Sequence, residues 1–158
     1  MIIRPATLED SAAVCRMAIR FLEETPYGEL VTPNEVKIAQ LMLQCLDLGV
    51  IYVAELEDAP PHTLVGFLAL VALAHPVSGD PFAEELAWWV QPEARHLSVG
   101  PRLLAHGERW AIAHALRMLK MVAPAASSVG GFYERRGYRL VELTYCKTLL
   151  GSSAPQPE

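Results

Sequence analysis

The stretch EELAWWVQPEARHLSVGPRLL, residues 84–104, constrains the fold more than any other part of the sequence. It begins as an apolar run of strand-forming residues and ends in a segment whose apolar positions recur at helical spacing. Between them lies a loop of small residues, with no acidic cap at the mouth of the helix. A helix N-terminus without a cap presents unpaired backbone N–H groups and a partial positive charge. The sequence therefore predicts a strand, loop and helix that can hold an anion where the helix begins.

Two helices are predicted ahead of this unit. A cap at Thr7 marks the start of a helix that runs to about Leu22. Apolar residues recur on one side of that helix, as in a helix packed on a core. The second helix begins with a capping box, in which Thr32 is the N-cap, Pro33 takes the first helical position and Glu35 the third. Together with the predicted strands, these helices indicate an α/β fold class.

The remaining elements alternate strands with helices. The segments predicted as strands are residues 2–4, 50–57, 63–73, 84–90, 119–122 and 138–149. The turn sequence DAPP predicts that the second and third strands form an antiparallel hairpin. Gly107 lies inside the helix after the loop, where glycine lowers stability, so we expect that turn to pack closely on the sheet. SVGGFYERRG predicts a brief helix that ends at Gly137.

Composition limits the kinds of partner. A length of 158 residues suits one domain, predicted over 1–149 with a disordered tail over 150–158. The formal net charge of −5 argues against nucleic acid but leaves room for a small phosphorylated ligand. No apolar run approaches the length of a membrane span, and nothing resembles a signal peptide. We expect a cytoplasmic protein that binds no membrane.

Neither the cysteines nor the histidines form a metal motif. Cys15, Cys45 and Cys146 are far apart, and each is expected to be a reduced, buried small hydrophobe. His106 and His114 are eight residues apart on one helix, whereas metal-binding pairs need a spacing of three or four. The sequence therefore predicts no metal.

Two segments resemble signatures of the GNAT superfamily of N-acetyltransferases. VQPEARHLSVG, residues 90–100, is similar to the acyl-CoA loop V-x-P-x-x-R/Q-x-x-G-x-G/A, with Ser98 in place of the usual glycine. FYERRGY, residues 132–138, resembles the second signature, F-Y-E-K-x-G-F. The resemblance implies a GNAT-like fold over residues 1–149. That fold has a central mixed, mostly antiparallel sheet, flanked by about four helices and splayed between strands 4 and 5.

The resemblance implies acetyl-CoA as the acyl donor. It places the pyrophosphate of coenzyme A at the positive end of the helix, against the loop residues Arg95, His96, Leu97, Ser98, Val99 and Gly100. Arg95 and Arg102 are candidates for direct contact, since a guanidinium matches phosphate oxygens. The backbone of Trp88, Trp89 and Val90 is implied to pair with the pantetheine arm, with an N–H group polarising the thioester carbonyl. Trp88 and Trp89 are expected to face opposite sides of the sheet.

The resemblance also implies two catalytic residues. The tyrosine of the second signature, here Tyr133, is implied to protonate the departing thiolate as a general acid. A glutamate on the fourth strand is implied to take the proton from the attacking amine. Glu84 and Glu85 begin that strand, and because successive strand residues face opposite sides, one of the two points into the cleft. We choose Glu85 and leave Glu84 as its alternative.

These residues predict an enzyme, an N-acetyltransferase. It is expected to move an acetyl group directly to a primary amine of a small molecule or peptide within a ternary complex. The alternative is a non-catalytic acyl-CoA-binding regulatory module of the same fold, because Ser98, Pro101 and Ala126 depart from the family pattern. A nucleotide binder of another kind is disfavoured, since the chain lacks GxGxxG and GxxxxGK[ST]. A homodimer through an edge strand, LTYCKTLL at 143–150, is a further expectation.

Overall fold

A computed structural model describes residues 1–125 and 127–149. They fall into two compact units, one from Met1 to Val122 and one that begins at Ala123. The strands, all in the first unit, are β1 Ile2–Pro5, β2 Gly49–Glu55, β3 Leu64–Ala74, β4 Pro81–Val90 and β5 Leu119–Lys120. The helices are α1 Ser11–Glu23, α2 Glu35–Leu48 and α3 Val99–Ala113 in the first unit, and α4 Val129–Arg135 in the second.

The sheet of the first unit is mixed and mostly antiparallel, as predicted. Its strands lie in the order β1-β2-β3-β4-β5. Neighbouring strands from β1 to β4 run antiparallel to each other, while β5 runs parallel to β4. The predicted hairpin is confirmed as the pair β2 and β3, whose apolar and β-branched residues suit a sheet buried on both faces.

Helices cover both faces of this sheet. On one face, α1 and α2 pack through buried residues such as Val14, Met17 and Cys45. On the other face, Leu103 and its neighbours on α3 pack against β3. A Cβ atom added at Gly107 would lie 2.8 Å from Cδ1 of Leu70, so the predicted close packing of α3 on the sheet is confirmed.

The start of α2 differs from the prediction. Its N-cap is Asn34, whose side-chain oxygen accepts the N–H of Lys37 at 3.0 Å, and not Thr32. Thr32 precedes Pro33, and a residue before proline is held in an extended conformation. Asparagine is also the stronger N-cap residue, so the helix begins two residues later.

The predicted last strand is wrong, because residues 138–149 contain no strand. Alternating residues favour one-sided burial but do not specify the neighbouring strand that a ladder of hydrogen bonds needs. Tyr145 and Leu149 are exposed, and so is Cys146, which was expected to be buried; Cys15 is only partly buried. The predicted homodimer needed an edge strand here, and residues 143–149 form none. The tail at 150–158 and Ala126 lie outside the described residues, and the single domain over 1–149 stays a prediction.

Candidate active site

Strands β4 and β5 separate soon after they meet. Ala83 pairs with Leu119 and Glu84 with Lys120, and there β5 ends. Strand β4 continues to Val90, so most of it runs on beyond the end of its parallel neighbour. Beyond Glu84 this edge of β4 therefore has no paired strand within the described residues, at the place where the family resemblance implies a splay.

The two candidate glutamates occupy different positions at this edge. Glu84 lies in the last paired position, where its carboxylate contacts Nζ of Lys120 at 2.9 Å. Glu85 is 8% exposed, and its Oε2 accepts the backbone N–H of Val122 at 2.9 Å. The Glu85 carboxylate thus bonds to the chain just beyond β5, at the point where the two strands part. The two candidates thus differ in position, since Glu84 lies within the β4–β5 ladder and Glu85 lies just beyond it.

A β-bulge in β4 sets the direction of these side chains. Glu85 lies opposite Leu70 and Ala87 lies opposite Ala69, which leaves Leu86 as the additional residue. Trp88 lies opposite Leu68, and Leu68 and Leu70 share one face of β3. Glu85 and Trp88 therefore lie on the same face although they are three positions apart, which simple alternation would not give.

The two tryptophans pack on opposite sides of the sheet. A Cβ atom added at Gly100 would lie 2.9 Å from Cζ2 of Trp88, so the Trp88 ring rests directly on the first turn of α3. Trp89 lies opposite Phe67 and belongs to the buried cluster that includes Met17 of α1. The first turn of α3 thus packs directly on β4. Any side chain larger than that of glycine at position 100 would displace the indole of Trp88.

The loop from β4 to α3 ends in a left-handed residue. Pro92–Leu97 forms a 3-10 turn, and Ser98 then has φ 56° and ψ 26° before α3 starts at Val99. Glycine adopts this conformation without the steric strain that other residues meet there. The geometry accounts for the glycine that the family pattern has at the position of Ser98. The loop residues from Arg95 to Ser98 are exposed, whereas Val99 and Gly100 are buried.

Both arginines predicted to contact phosphate have partners within the protein. Nε of Arg95 donates to the carbonyl oxygen of Val90 at 3.0 Å, and its guanidinium pairs with Glu24, just after α1. Nη2 of Arg102 donates to the carbonyl oxygen of Met1 at 3.1 Å. A guanidinium has five N–H donors, so these contacts leave other donors on each arginine for a phosphate.

Tyr133, the candidate acid, lies on α4 in the second unit. It is 6% exposed, and its ring centroid lies 5.9 Å from that of Phe132 and 5.4 Å from that of Tyr138. The helix ends as predicted at Gly137, which has φ 86°, and the N–H of Tyr138 closes the turn on the carbonyl oxygen of Tyr133 at 3.1 Å. The signature FYERRGY therefore forms a capped helical turn around a buried tyrosine.

Sequence reasoning missed a network of charges around Asp10. This buried carboxylate accepts from Nη1 and Nη2 of Arg4 at 2.7 and 3.0 Å, and from the N–H of Thr7 at 2.8 Å. Nδ1 of His62 lies 2.9 Å from it. The Arg4 guanidinium holds the pKa of Asp10 well below its usual range, and the hydrogen bond to Asp10 raises the pKa of His62. The Thr7 cap pointed to Asp10, but no local pattern signals the distant partner His62.

The mixed sheet and the loop that precedes α3 agree with the fold that the family resemblance implies. The model of the acetyltransferase (GNAT) family matches residues 17–138, and the chain belongs to this family. No curated protein sequence matches the chain closely enough to count as a relative. Within residues 1–125 and 127–149, no helix is long and apolar enough to cross a membrane.

Solved structures share this fold. A probable acetyltransferase is 22% identical with a TM-score of 0.73, covering 98% of this chain and 100% of its own. The ribosomal-protein-alanine N-acetyltransferase from Brucella melitensis biovar Abortus 2308 is 17% identical with a TM-score of 0.69, covering 93% and 99%. AAC(6')-Iy, in complex with the bisubstrate analog CoA-S-monomethyl-acetylneamine, is 17% identical with a TM-score of 0.69, covering 92% and 97%.

Proposed function

We propose that this protein is an acetyl-CoA-dependent N-acetyltransferase that acetylates a primary amine of a small molecule or peptide. Family membership supports acetyl transfer. The observation that carries the proposal is the Glu85 carboxylate, buried where β4 and β5 part and held by the N–H of Val122. A carboxylate in such an opening can accept a proton from an amine that enters between the strands.

The start of α3 supports binding of the pyrophosphate. The N–H groups of Val99 and Gly100 lie in the first helical turn, which leaves them without intrahelical acceptors and at the positive end of the helix. Pro101 has no N–H to donate, so the pyrophosphate is proposed to contact the left-handed turn at Ser98 and the N–H groups of Val99 and Gly100. Arg95 can exchange Glu24 for a phosphate oxygen, which is a second anion of matching geometry.

The edge of β4 supports binding of the pantetheine arm. Strand β5 ends at Lys120, so from Leu86 onward the edge of β4 runs beyond the pairing with β5. The amide groups of pantetheine can add to such an edge as another strand does. An N–H between Trp88 and Val90 then stabilises the negative charge that develops on the thioester oxygen.

The proposed transfer is direct. The amine nitrogen bonds to the thioester carbon, Glu85 accepts the proton that this nitrogen loses, and the carbon–sulfur bond breaks. Tyr133 donates a proton to the departing sulfur. The role of Tyr133 rests on the motif resemblance. Ser98, Val99 and Gly100 are proposed to orient the donor.

The first test is thermal unfolding of the purified protein with rising acetyl-CoA, and with ATP as the control. At about 100 times its dissociation constant a ligand adds about 2.7 kcal/mol, which raises the melting temperature of a chain this long by roughly 5 to 10 °C. An equal rise with ATP, or none with acetyl-CoA, would contradict the proposal.

The second test separates an enzyme from a binding module. With an amine that supports release of thiol from acetyl-CoA, Glu85→Gln should lower kcat about 100-fold or more. Glu84→Gln is the matched control, because Glu84 is paired with Lys120, and it should retain most of the activity. Tyr133→Phe should lower kcat while acetyl-CoA still raises the melting temperature. If acetyl-CoA binds but Glu85→Gln and Tyr133→Phe change nothing, the protein is a regulatory acyl-CoA-binding module.

A further inference from the structure

One histidine connects the turn between β2 and β3 to the start of α1. The turn spans residues 56–63, from the end of β2 to the start of β3. Nδ1 of His62 lies 2.9 Å from Oδ1 of Asp10, and Nε2 of His62 lies 3.3 Å from Oε2 of Glu9. Both carboxylates belong to the 3-10 turn Leu8–Asp10, which leads into α1. His62 therefore joins two segments that are 52 residues apart in the sequence.

The backbone of His62 is left-handed, with φ 62°. A residue with a Cβ atom meets steric strain in this conformation and keeps it only where surrounding contacts hold it. One of those contacts comes from the backbone, because the N–H of His62 donates to Oε1 of Glu55 at 2.7 Å. Glu55 is the last residue of β2. Together with Asp10 and Glu9, three carboxylates thus hold one residue of the turn.

The charge of the His62 ring decides how many of these contacts it can make. The protonated ring carries an N–H on both nitrogens, so it can donate to Asp10 and Glu9 together. The neutral ring has one N–H and presents a lone pair to the other carboxylate. Two cations oppose protonation, namely Arg4, whose Nη2 lies 3.5 Å from Nδ1, and Arg16 on α1, which lines the same surface groove as His62. The hydrogen bond to Asp10 outweighs them, and the pKa of His62 is raised above its ordinary value.

The start of β3 is held by contacts that do not involve His62. Nε2 of Gln91 donates to the carbonyl oxygen of Leu64 at 3.0 Å, and the backbone N–H of Gln91 donates to that of Val65 at 2.9 Å. These bonds join the first residues of β3 to the residue that follows β4, and none of the groups in them titrates. A change at His62 should therefore affect the turn at 56–63 and stop at Leu64.

We propose that the charge of the His62 ring controls how firmly the turn at 56–63 is held to the start of α1. The protonated ring holds the turn through both Asp10 and Glu9, and the neutral ring holds it less firmly. The stabilisation is complete below the ordinary pKa of histidine, about 6.5, and is lost as the pH rises through the higher pKa of His62 in the closed turn. His62 and Thr63 line one side of the groove beside α1, so this side of the groove becomes more mobile at high pH.

The test measures two quantities by NMR on the same ¹⁵N-labelled protein. The ring signals of His62, identified by their loss in His62→Asn, give its pKa. Exchange of the His62 amide with solvent, corrected for the intrinsic rate, reports opening of the turn, because this N–H is bonded to Glu55 in the closed state. We expect protection of this amide to fall as the pH rises through the measured pKa. The fall should be about tenfold for each unit by which that pKa exceeds about 6.5.

Three variants and one internal reference make the test specific. His62→Asn keeps a residue that tolerates the left-handed conformation but does not titrate, so protection at position 62 should no longer depend on pH. Glu9→Gln removes one of the two carboxylates that contact the ring, and it should lower the pKa of His62 and reduce the fall. His75→Asn, in the turn between β3 and β4, is the matched control and should change neither quantity. Protection of the Gln91 amide is the reference and should stay constant.

Four outcomes overturn the inference. These are a pKa of His62 at or below its ordinary value, protection that does not change with pH, a pH dependence that survives in His62→Asn, and an equal fall at Gln91. The last would mean that the sheet loosens as a whole rather than at this turn. The measurements need neither acetyl-CoA nor an acceptor, so their result does not depend on the proposed function.

Discussion

Replacing Ser98 with glycine should stabilise the protein. Ser98 has φ 56° and ψ 26°, and a residue with a Cβ atom loses about 1 to 2 kcal/mol in this left-handed conformation. Glycine removes that strain but adds entropy to the unfolded chain, which offsets about 0.4 to 1 kcal/mol. The Ser98 side chain makes no capping hydrogen bond to α3, so little else is lost. The net gain in the free energy of unfolding is about 0.5 to 1 kcal/mol.

Thermal unfolding followed by circular dichroism measures this gain. For a chain of this length, about 0.5 to 1 kcal/mol corresponds to a rise in melting temperature of roughly 1 to 4 °C. Ser98→Ala is the matched control, because it removes the hydroxyl but keeps the Cβ atom, and it should not raise the melting temperature. If Ser98→Gly gave no increase, or Ser98→Ala gave the same increase, the left-handed geometry would not be a source of strain.

Two further predictions concern buried groups in the first unit. Asp10→Asn should destabilise the protein at pH 7 by about 3 kcal/mol, because it leaves Arg4 without its buried partner. Because the pKa of Asp10 is lowered in the folded protein, its contribution to the free energy of unfolding is complete above pH 4 and is lost as the pH falls further. The free energies of unfolding of the two proteins, measured with denaturant, should therefore converge at low pH. A difference that stays constant with pH would refute the ion pair. Burial raises the pKa of the Cys45 thiol to about 11, so a thiol reagent at pH 8 should label exposed Cys146 in the native protein and Cys45 only after unfolding. Mass spectrometry of labelled peptides checks this, and native labelling of Cys45 as fast as that of Cys146 would contradict it.

Elements fixed by local sequence patterns were predicted well. The hairpin of β2 and β3 and the helix α3 follow from apolar periodicity and from turn residues, which act over a few positions. The start of α2 and the segment 138–149 were predicted wrongly because each depends on residues outside the pattern that was read. Asn34 outcompetes Thr32 as the cap, and alternation in 138–149 cannot supply a partner strand.

The sequence located the segments of the candidate site but not the contacts that their side chains make. The loop motif located the start of α3, and the family resemblance together with its strand position made Glu85 a candidate. The partner of Arg95 is Glu24, 71 residues away, and that of Arg102 is Met1, 101 residues away. No periodicity encodes such distant pairs. The left-handed conformation of Ser98 could not be predicted for a different reason, because a serine in a sequence does not indicate a positive φ angle as a glycine does.

The additional residue in β4 has a consequence for how this sheet can change. Removing Leu86 would leave Glu85 opposite Leu70 and Ala87 opposite Ala69, so the ladder to β3 would survive with every partner kept. What would disappear is the bend and the extra twist that a bulge gives its strand. Leu86 is therefore the single residue that gives β4 its bend, and it lies two positions beyond the last residue that pairs with β5.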